Sequence, residues 1–481
     1  MRDLDLKVKC LISALVFLLL AGGAGATPVE QWNKTFGGTN WDFANSSVQQ
    51  TSDGGYITAG QTNSYGAGSG DAWLIKTDAS GNEQWNKTFG GINWDYATSV
   101  QQTSDGGYIL AGTTNSYGAG SGDAWLIKTD ASGNEQWNRT FGGTGWDSAY
   151  SVQQTSDGGY ILAGTTNSYG AGSYVWLIKT DTNGNELWNR TFGGTGWDTA
   201  YSVQQTSDGG YILAAGTRNS YGTGSYVWLI KTDTNGNGLW NKTFGGTSWD
   251  TAYSVRQTSD GGYVLAGNIN SYGAGNGDVW LIKTDSSGNE QWDRTFGGTS
   301  WDTAYSVQQT SDDGYILAGT TYSYGAGNGD TWLIKTGANG NEQWNMTFGG
   351  ANWEWFASVQ QTSDGGYILA STTSSYGAGS GDAWLIKLSG NVAYNSVGYS
   401  ATVATGQNTY VQSTNGTFGL LLKGQSKTIN NSVVLNNTGD ISAKVEARFN
   451  DSISGDYGLV SGTNLLNATN FALGIPGALM P

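Results

Sequence analysis

The chain is 481 residues long, with 22 Lys and Arg against 38 Asp and Glu, a net charge of −16, no histidine and one cysteine. These counts exclude imidazole catalysis, thiolate nucleophiles and soft-metal sites, and leave carboxylates, amides, hydroxyls and aromatic faces as the available chemistry. The acidic balance speaks against a nucleic-acid partner, whose phosphates would need clustered Lys and Arg, and 22 Trp with only 12% charged residues exclude a disordered acidic tail.

Residues 1–26 read as a secretory signal peptide: MRDLDLKVK is weakly basic, CLISALVFLLLAGG is apolar, and AGA at 24–26 is a small-residue cleavage site. The apolar run is short for a bilayer span and no later segment reaches the roughly 18–20 apolar residues one needs, so no transmembrane span is expected. Cys10 precedes the apolar run and is discarded with it, which fits neither a disulfide framework nor a lipid-anchored cysteine.

From residue 29 the sequence repeats. The Asp of each SD(G/D)G falls at Asp53, Asp105, Asp157, Asp208, Asp260, Asp312 and Asp364, seven copies at a spacing of 51 or 52 residues. A period of this length with short β-branched and aromatic runs between Gly, Asn, Asp and Ser clusters predicts propeller blades rather than a helical solenoid. In the second copy strand A is read as 98–103, B as 108–114, C as 124–130 and D as 135–141. A joins B through SDGG and C joins D through ASGN, both tight turns. B joins C through NSYGAGSGD and D joins the next A through GGTGWDSA, so every long loop falls on one face of the ring.

The phase of the repeat predicts closure. The first recognisable element is a D strand, EQWNKTF at 30–36, and the last is a C strand, AWLIKLS at 383–389. The N-terminal strand is therefore expected to complete the seventh blade and remove the free edges of a linear stack. The Trp of WLIK is expected in the core and the Trp of strand D in inter-blade packing. The predicted fold is all-β: a seven-bladed β-propeller over 27–389, closed by an N-terminal strand. Residues 390–481, with alternating apolar and polar runs between Asn and Gly turns, predict a small β-sandwich-like C-terminal module, either incomplete or docked on the propeller.

SDGGYILAG, WLIKTD and GNEQWN together resemble the propeller repeats of archaeal and bacterial secreted cell-surface proteins, over residues 29–389. The resemblance implies the propeller fold, a surface location, and binding or adhesion. An Ig-like module after the propeller is similar to what such surface proteins carry.

Two motifs that invite chemistry read more simply as structure. DTNGNE at 181–186 opens like a calcium loop, but its Gly is fourth and its twelfth position is Phe192, so a hairpin is expected. YGAGSG precedes a strand and carries no Lys, which speaks against a phosphate cradle. N-x-Ser/Thr sequons recur on strand D at Asn33, Asn86, Asn138, Asn189, Asn241 and Asn345, where the outer edge of a blade could carry glycan or where repetition alone has copied the triplet.

Each D–A loop sets an aromatic residue beside an acid: Trp41-Asp42, Trp94-Asp95, Trp146-Asp147, Trp197-Asp198, Trp249-Asp250, Trp301-Asp302 and Trp353-Glu354. Two readings stand side by side. The pairs form a ligand-binding ring near the mouth of the central channel, indoles stacking on sugar while carboxylates accept hydroxyls or hold calcium. Alternatively, the Trp wedge between blades and the acids satisfy loop N–H groups. Departures from the repeat are few: Tyr174, Arg218, Tyr226, Arg256, Asp313, and EWF at 354–356.

These readings together describe a secreted, cell-surface-associated binding or adhesion protein, not an enzyme, whose long-loop face meets an extracellular glycan or a surface protein. The alternatives are an extracellular carbohydrate-active enzyme working with carboxylates and a structural component of the cell envelope. No catalytic residue, metal site or cofactor is expected, calcium being the one cation that the loop acids would suit.

Overall fold

A computed structural model describes residues 27–170, 172–218 and 224–390, together with the backbone of Thr409–Gln412 and Val434–Asn437. The signal-peptide reading and most of the C-terminal module lie outside the described residues. The chain divides into two compact units, one holding Val29–Gly390 and the other Asn391–Pro481. In the second, Thr409–Gln412 pairs antiparallel with Val434–Asn437.

The first unit is a seven-bladed β-propeller of seven four-stranded antiparallel sheets. In the second blade strands A to D are Asp95–Gln102, Tyr108–Thr114, Asp123–Thr129 and Glu135–Phe141. Strand A begins three residues earlier than the alternation suggested, because a bulge between Ala97 and Ser99 absorbs one extra residue and keeps Val100 facing the core. The bulge needs Gly112 opposite it: a Cβ there would lie 1.9 Å from the Tyr96 carbonyl oxygen.

Closure follows the predicted phase. Glu30–Phe36 pairs with Asp382–Leu388 as the outer strand of the sheet that holds Tyr367–Thr373 and Glu354–Gln361. The Ser389 N–H donates to the Val29 carbonyl at 2.8 Å, which places the two ends of the ring side by side.

Strands B and C are buried along their whole length in most blades, as central strands covered on both faces must be. The apolar clusters lie between blades: Ile57, Ala72 and Leu74 of one pack with Leu110, Trp125 and Ile127 of the next. Trp85 of strand D packs against the same cluster, its ring 5.7 Å from Tyr108 at 64°. Both Trp series therefore serve packing. The Asn of strand D has a part in this too, since Trp125 Nε1 donates to Asn138 Oδ1 at 3.3 Å.

The Lys of WLIKTD is buried. Lys128 Nζ lies 2.9 Å from Asp105 Oδ2 and donates to the Thr129 carbonyl at 2.8 Å, tying the A–B turn to the end of strand C. The same pair occurs in all seven blades. Burial pushes the Asp105 carboxyl up, but hydrogen bonds from Thr103, Lys128 and the Gly107 N–H, with the Lys128 charge, outweigh it and hold the group at about 2.

Candidate functional site: the long-loop face

The D–A and B–C loops meet at the seam between blades. Trp94 bridges Gly70 of the preceding blade's B–C loop, and the next N–H, that of Asp95, donates to the Gly70 carbonyl at 2.9 Å. The indoles of Trp41, Trp146 and Trp301 lie on the neighbouring loop's glycine. At Trp146 the ring crosses Gly122 so closely that a Cβ there would be 3.1 Å from it. Where Ser173 and Ser225 replace that glycine, Trp197 and Trp249 stand further out, 69% and 56% exposed. Trp41, Trp301 and Trp353 are also exposed, so all seven indoles present surface on this face.

The acids beside them do not. Asp42, Asp95, Asp147, Asp198, Asp250, Asp302 and Glu354 have no exposed surface. Asp95 Oδ1 accepts from Thr114 Oγ1 at 2.5 Å, Asn115 N at 3.1 Å and Ser116 N at 3.3 Å. Its Oδ2 accepts from Gly91 N at 2.8 Å and Ser116 Oγ at 2.6 Å. Such a carboxylate organises two loops beneath the indole, and its lone pairs are committed to them.

Sequence reasoning overlooked a second acid. Asp71, Asp123, Asp278, Asp330 and Asp382 open strand C and are buried at the same seams. A Cβ on Gly90 would meet Asp71 Oδ1 at 2.1 Å and Asp95 Oδ2 at 2.8 Å, so the two carboxylates converge on a space that only glycine leaves open. Burial, then the Asp95 charge, push the Asp71 carboxyl up, against the hydrogen bond from the Ala67 N–H. Tyr174 and Tyr226 take this acid's place in two blades, and their substitution was the available signal. Among the described residues no group of three or more Asp or Glu is arranged to hold a metal.

The strongest asymmetry on this face is the seam between the last and first blades. Five rings run in sequence: Tyr322–Trp353 at 5.9 Å, Trp353–Trp355 at 5.8 Å, Trp355–Trp41 at 5.6 Å and 26°, and Trp41–Phe43 at 5.7 Å and 14°. Beside them Phe356, at φ 53°, turns its ring onto Tyr305 at 5.6 Å. The EWF departure marked this region, but the partnership of Trp355 with Trp41 across more than 300 residues required closure to be seen.

The sequon residues Asn33, Asn86, Asn138, Asn189, Asn241 and Asn345 lie on strand D, at the outer edge of their blades. Asn86 Oδ1 accepts the indole N–H of Trp73 at 3.3 Å and its Nδ2 donates to Glu83 at 2.6 Å. A hydrogen-bonding role alone therefore accounts for an Asn at this position.

No protein-family model matches the chain. A stretch of 223 residues is 26% identical to the regulatory protein FlaEY of Caulobacter vibrioides; it spans 42% of this chain and 22% of that protein. Among solved structures, a protein of unknown function from Dyadobacter fermentans is 12% identical at TM-score 0.42, covering 76% of this chain and 99% of that one. The NanB sialidase of Streptococcus pneumoniae is 8% identical at TM-score 0.41, covering 75% and 70%. A puromycin hydrolase is 12% identical at TM-score 0.43, covering 69% and 50%. The expectation that the chain is not an enzyme is corrected here: a sialidase and a hydrolase stand among the solved structures it is similar to.

Proposed function

We propose that this protein binds carbohydrate on its long-loop face, outside the cell and at the cell surface. The observation that carries the reading is the run of five aromatic rings from Tyr322 to Phe43, in which the exposed Trp41 and Trp353 present apolar surface of the kind on which sugar rings stack. The indoles at the other seams repeat a smaller version of the same contact, which suits a polymer with many equivalent units. The buried acids act beneath the platform, holding the loops that carry the indoles.

The test uses a panel of immobilised polysaccharides, with retention and product release measured separately so that binding and cleavage are distinguished. Trp41→Ala with Trp353→Ala is expected to weaken retention by roughly tenfold, two ring contacts at about 0.5–1.5 kcal/mol each, measured well below a melting temperature that falls because the contacts with Tyr322, Trp355 and Phe43 are lost as well. Asp95→Asn is expected to lower the melting temperature, because an amide N–H₂ then faces loop donors that need an acceptor, at about 1–3 kcal/mol. Unchanged retention in the double Trp variant would refute the reading.

A further inference from the structure

The seven A strands line a central cavity of about 290 Å³. Its walls are Ser, Thr, Val, Gln and Tyr side chains, with one charge among them, Arg256. A belt of hydrogen bonds joins neighbouring A strands here: Gln49 Oε1 accepts from Gln102 N at 2.7 Å, and the equivalent bond forms at six junctions between blades. At the remaining junction Arg256 occupies the acceptor's position opposite Gln309. A guanidinium has no acceptor atom, so the belt is interrupted there.

Arg256 Nη1 donates to the carbonyl of Val255 at 3.0 Å, and no carboxylate lines the cavity. Arg256 is half-buried in the channel, and a guanidinium partly withdrawn from water without a counter-charge favours an anion beside it. The protein's net charge of −16 does not supply one locally, and its repulsion of a small anion is screened beyond about 8 Å at physiological salt. The cavity's other polar groups are neutral amides and hydroxyls. Burial pushes the Tyr305 phenol up to about 12 and raises those of Tyr201 and Tyr253, which leaves them protonated and able to donate.

We propose that the central channel holds a small oxyanion, a carboxylate or sulfate group, seated on the Arg256 guanidinium and surrounded by Gln amides and Tyr hydroxyls. Arg suits this ligand because its planar fork donates two parallel hydrogen bonds to two oxygens of one group. The site is separate from the aromatic platform and does not depend on glycan binding there.

Sodium sulfate and sodium acetate are titrated into the full chain, against sodium chloride at constant ionic strength, and followed by calorimetry and by melting temperature. The wild type is expected to show saturable binding, with a melting temperature that rises with the logarithm of anion concentration. R256Q, which restores the side chain found at the other six positions and so keeps the fold, is expected to lose affinity by roughly tenfold or more, the effect of removing one charge-assisted pair. R256K keeps the charge without the fork and should fall between them. The tighter of the sulfate and acetate titrations tells whether the seat fits a sulfate or a carboxylate group. Identical titrations for wild type and R256Q, or no saturable response in the wild type, would overturn the proposal.

Discussion

Deleting residues 27–37 removes the strand that closes the ring, and its cost follows from what that strand touches. Phe36 is buried against Trp73 and Leu385, a burial that contributes about 1.5–3 kcal/mol. Asn33 Oδ1 accepts the indole N–H of Trp384 at 3.2 Å, and leaving that buried donor unpaired costs about 1–3 kcal/mol. Trp32 packs on Tyr56 at 5.7 Å, contributing about 0.5–1.5 kcal/mol. The backbone ladder to Asp382–Leu388 is largely offset by the entropy the freed segment regains. The sum is about 3–7.5 kcal/mol, a large fraction of the stability of an ordinary domain. The exposed edge of Asp382–Leu388 also becomes a template for intermolecular pairing. Chemical denaturation of the chain beginning at residue 38, compared with one beginning at residue 27, is expected to show this loss, with concentration-dependent light scattering. A truncated chain with the same denaturation midpoint and no scattering would show that the ring is not held by this strand.

Three further outcomes are expected. Asp313 sits at φ 61° in a turn position that other blades fill with glycine, as at Gly106 with φ 84°, so D313G should stabilise by about 0.5–1 kcal/mol in chemical denaturation. The turn carboxyls of Asp53, Asp105, Asp208 and Asp260 are held at about 2, below their ordinary 3.8, so their contribution is complete above pH 3.8 and lost as pH falls through 2. The raised carboxyls such as Asp71 act in the opposite sense but are fully relieved by pH 3.8, so melting temperature against pH should turn downward below that value. Finally, N86D keeps an acceptor for the Trp73 indole, as Asp293 does for Trp280 at 2.9 Å, but sets a carboxylate against Glu83, so it should cost less than N86A, which should cost about 1–2 kcal/mol in denaturation; an increase in gel mobility of N86D would place a glycan at this sequon.

How much of this was legible in the sequence differs by level. Strand order, closure and core followed from the repeat, since a period of about 52 residues broken by Asp-Gly turns fits few architectures. Strand A was misplaced by three residues because the bulge at Ala97 and Ser99 breaks the alternation on which the reading relied. At the site, the Trp-Asp dipeptides were visible, but the opposite fates of their two side chains were not: burial of Asp95 depends on donors about 20 residues away in the B–C loop. The Lys128–Asp105 pair was missed for a similar reason, because nothing local in WLIKTD says that a lysine ending a buried strand will fold back on a turn.

Exact repetition and local departure do different work in this ring. Seven equivalent Lys–Asp pairs and buried loop acids give a symmetric scaffold, and a symmetric scaffold alone offers a ligand only equivalent contacts. Positions that differ break this equivalence, and two groups of them underlie the proposed sites. Trp355 and Phe43, from opposite ends of the propeller sequence, flank Trp41 once the ring closes, so the aromatic platform exists only because the last blade meets the first. Arg256 replaces one glutamine in a belt of bonds, and so puts a positive charge into a channel whose other walls are neutral. Both departures sacrifice a regular contact of the repeat, the backbone regularity at Phe356 in one case and the Gln309 bond in the other, and local irregularity of this kind is where a repeat fold can carry an individual function.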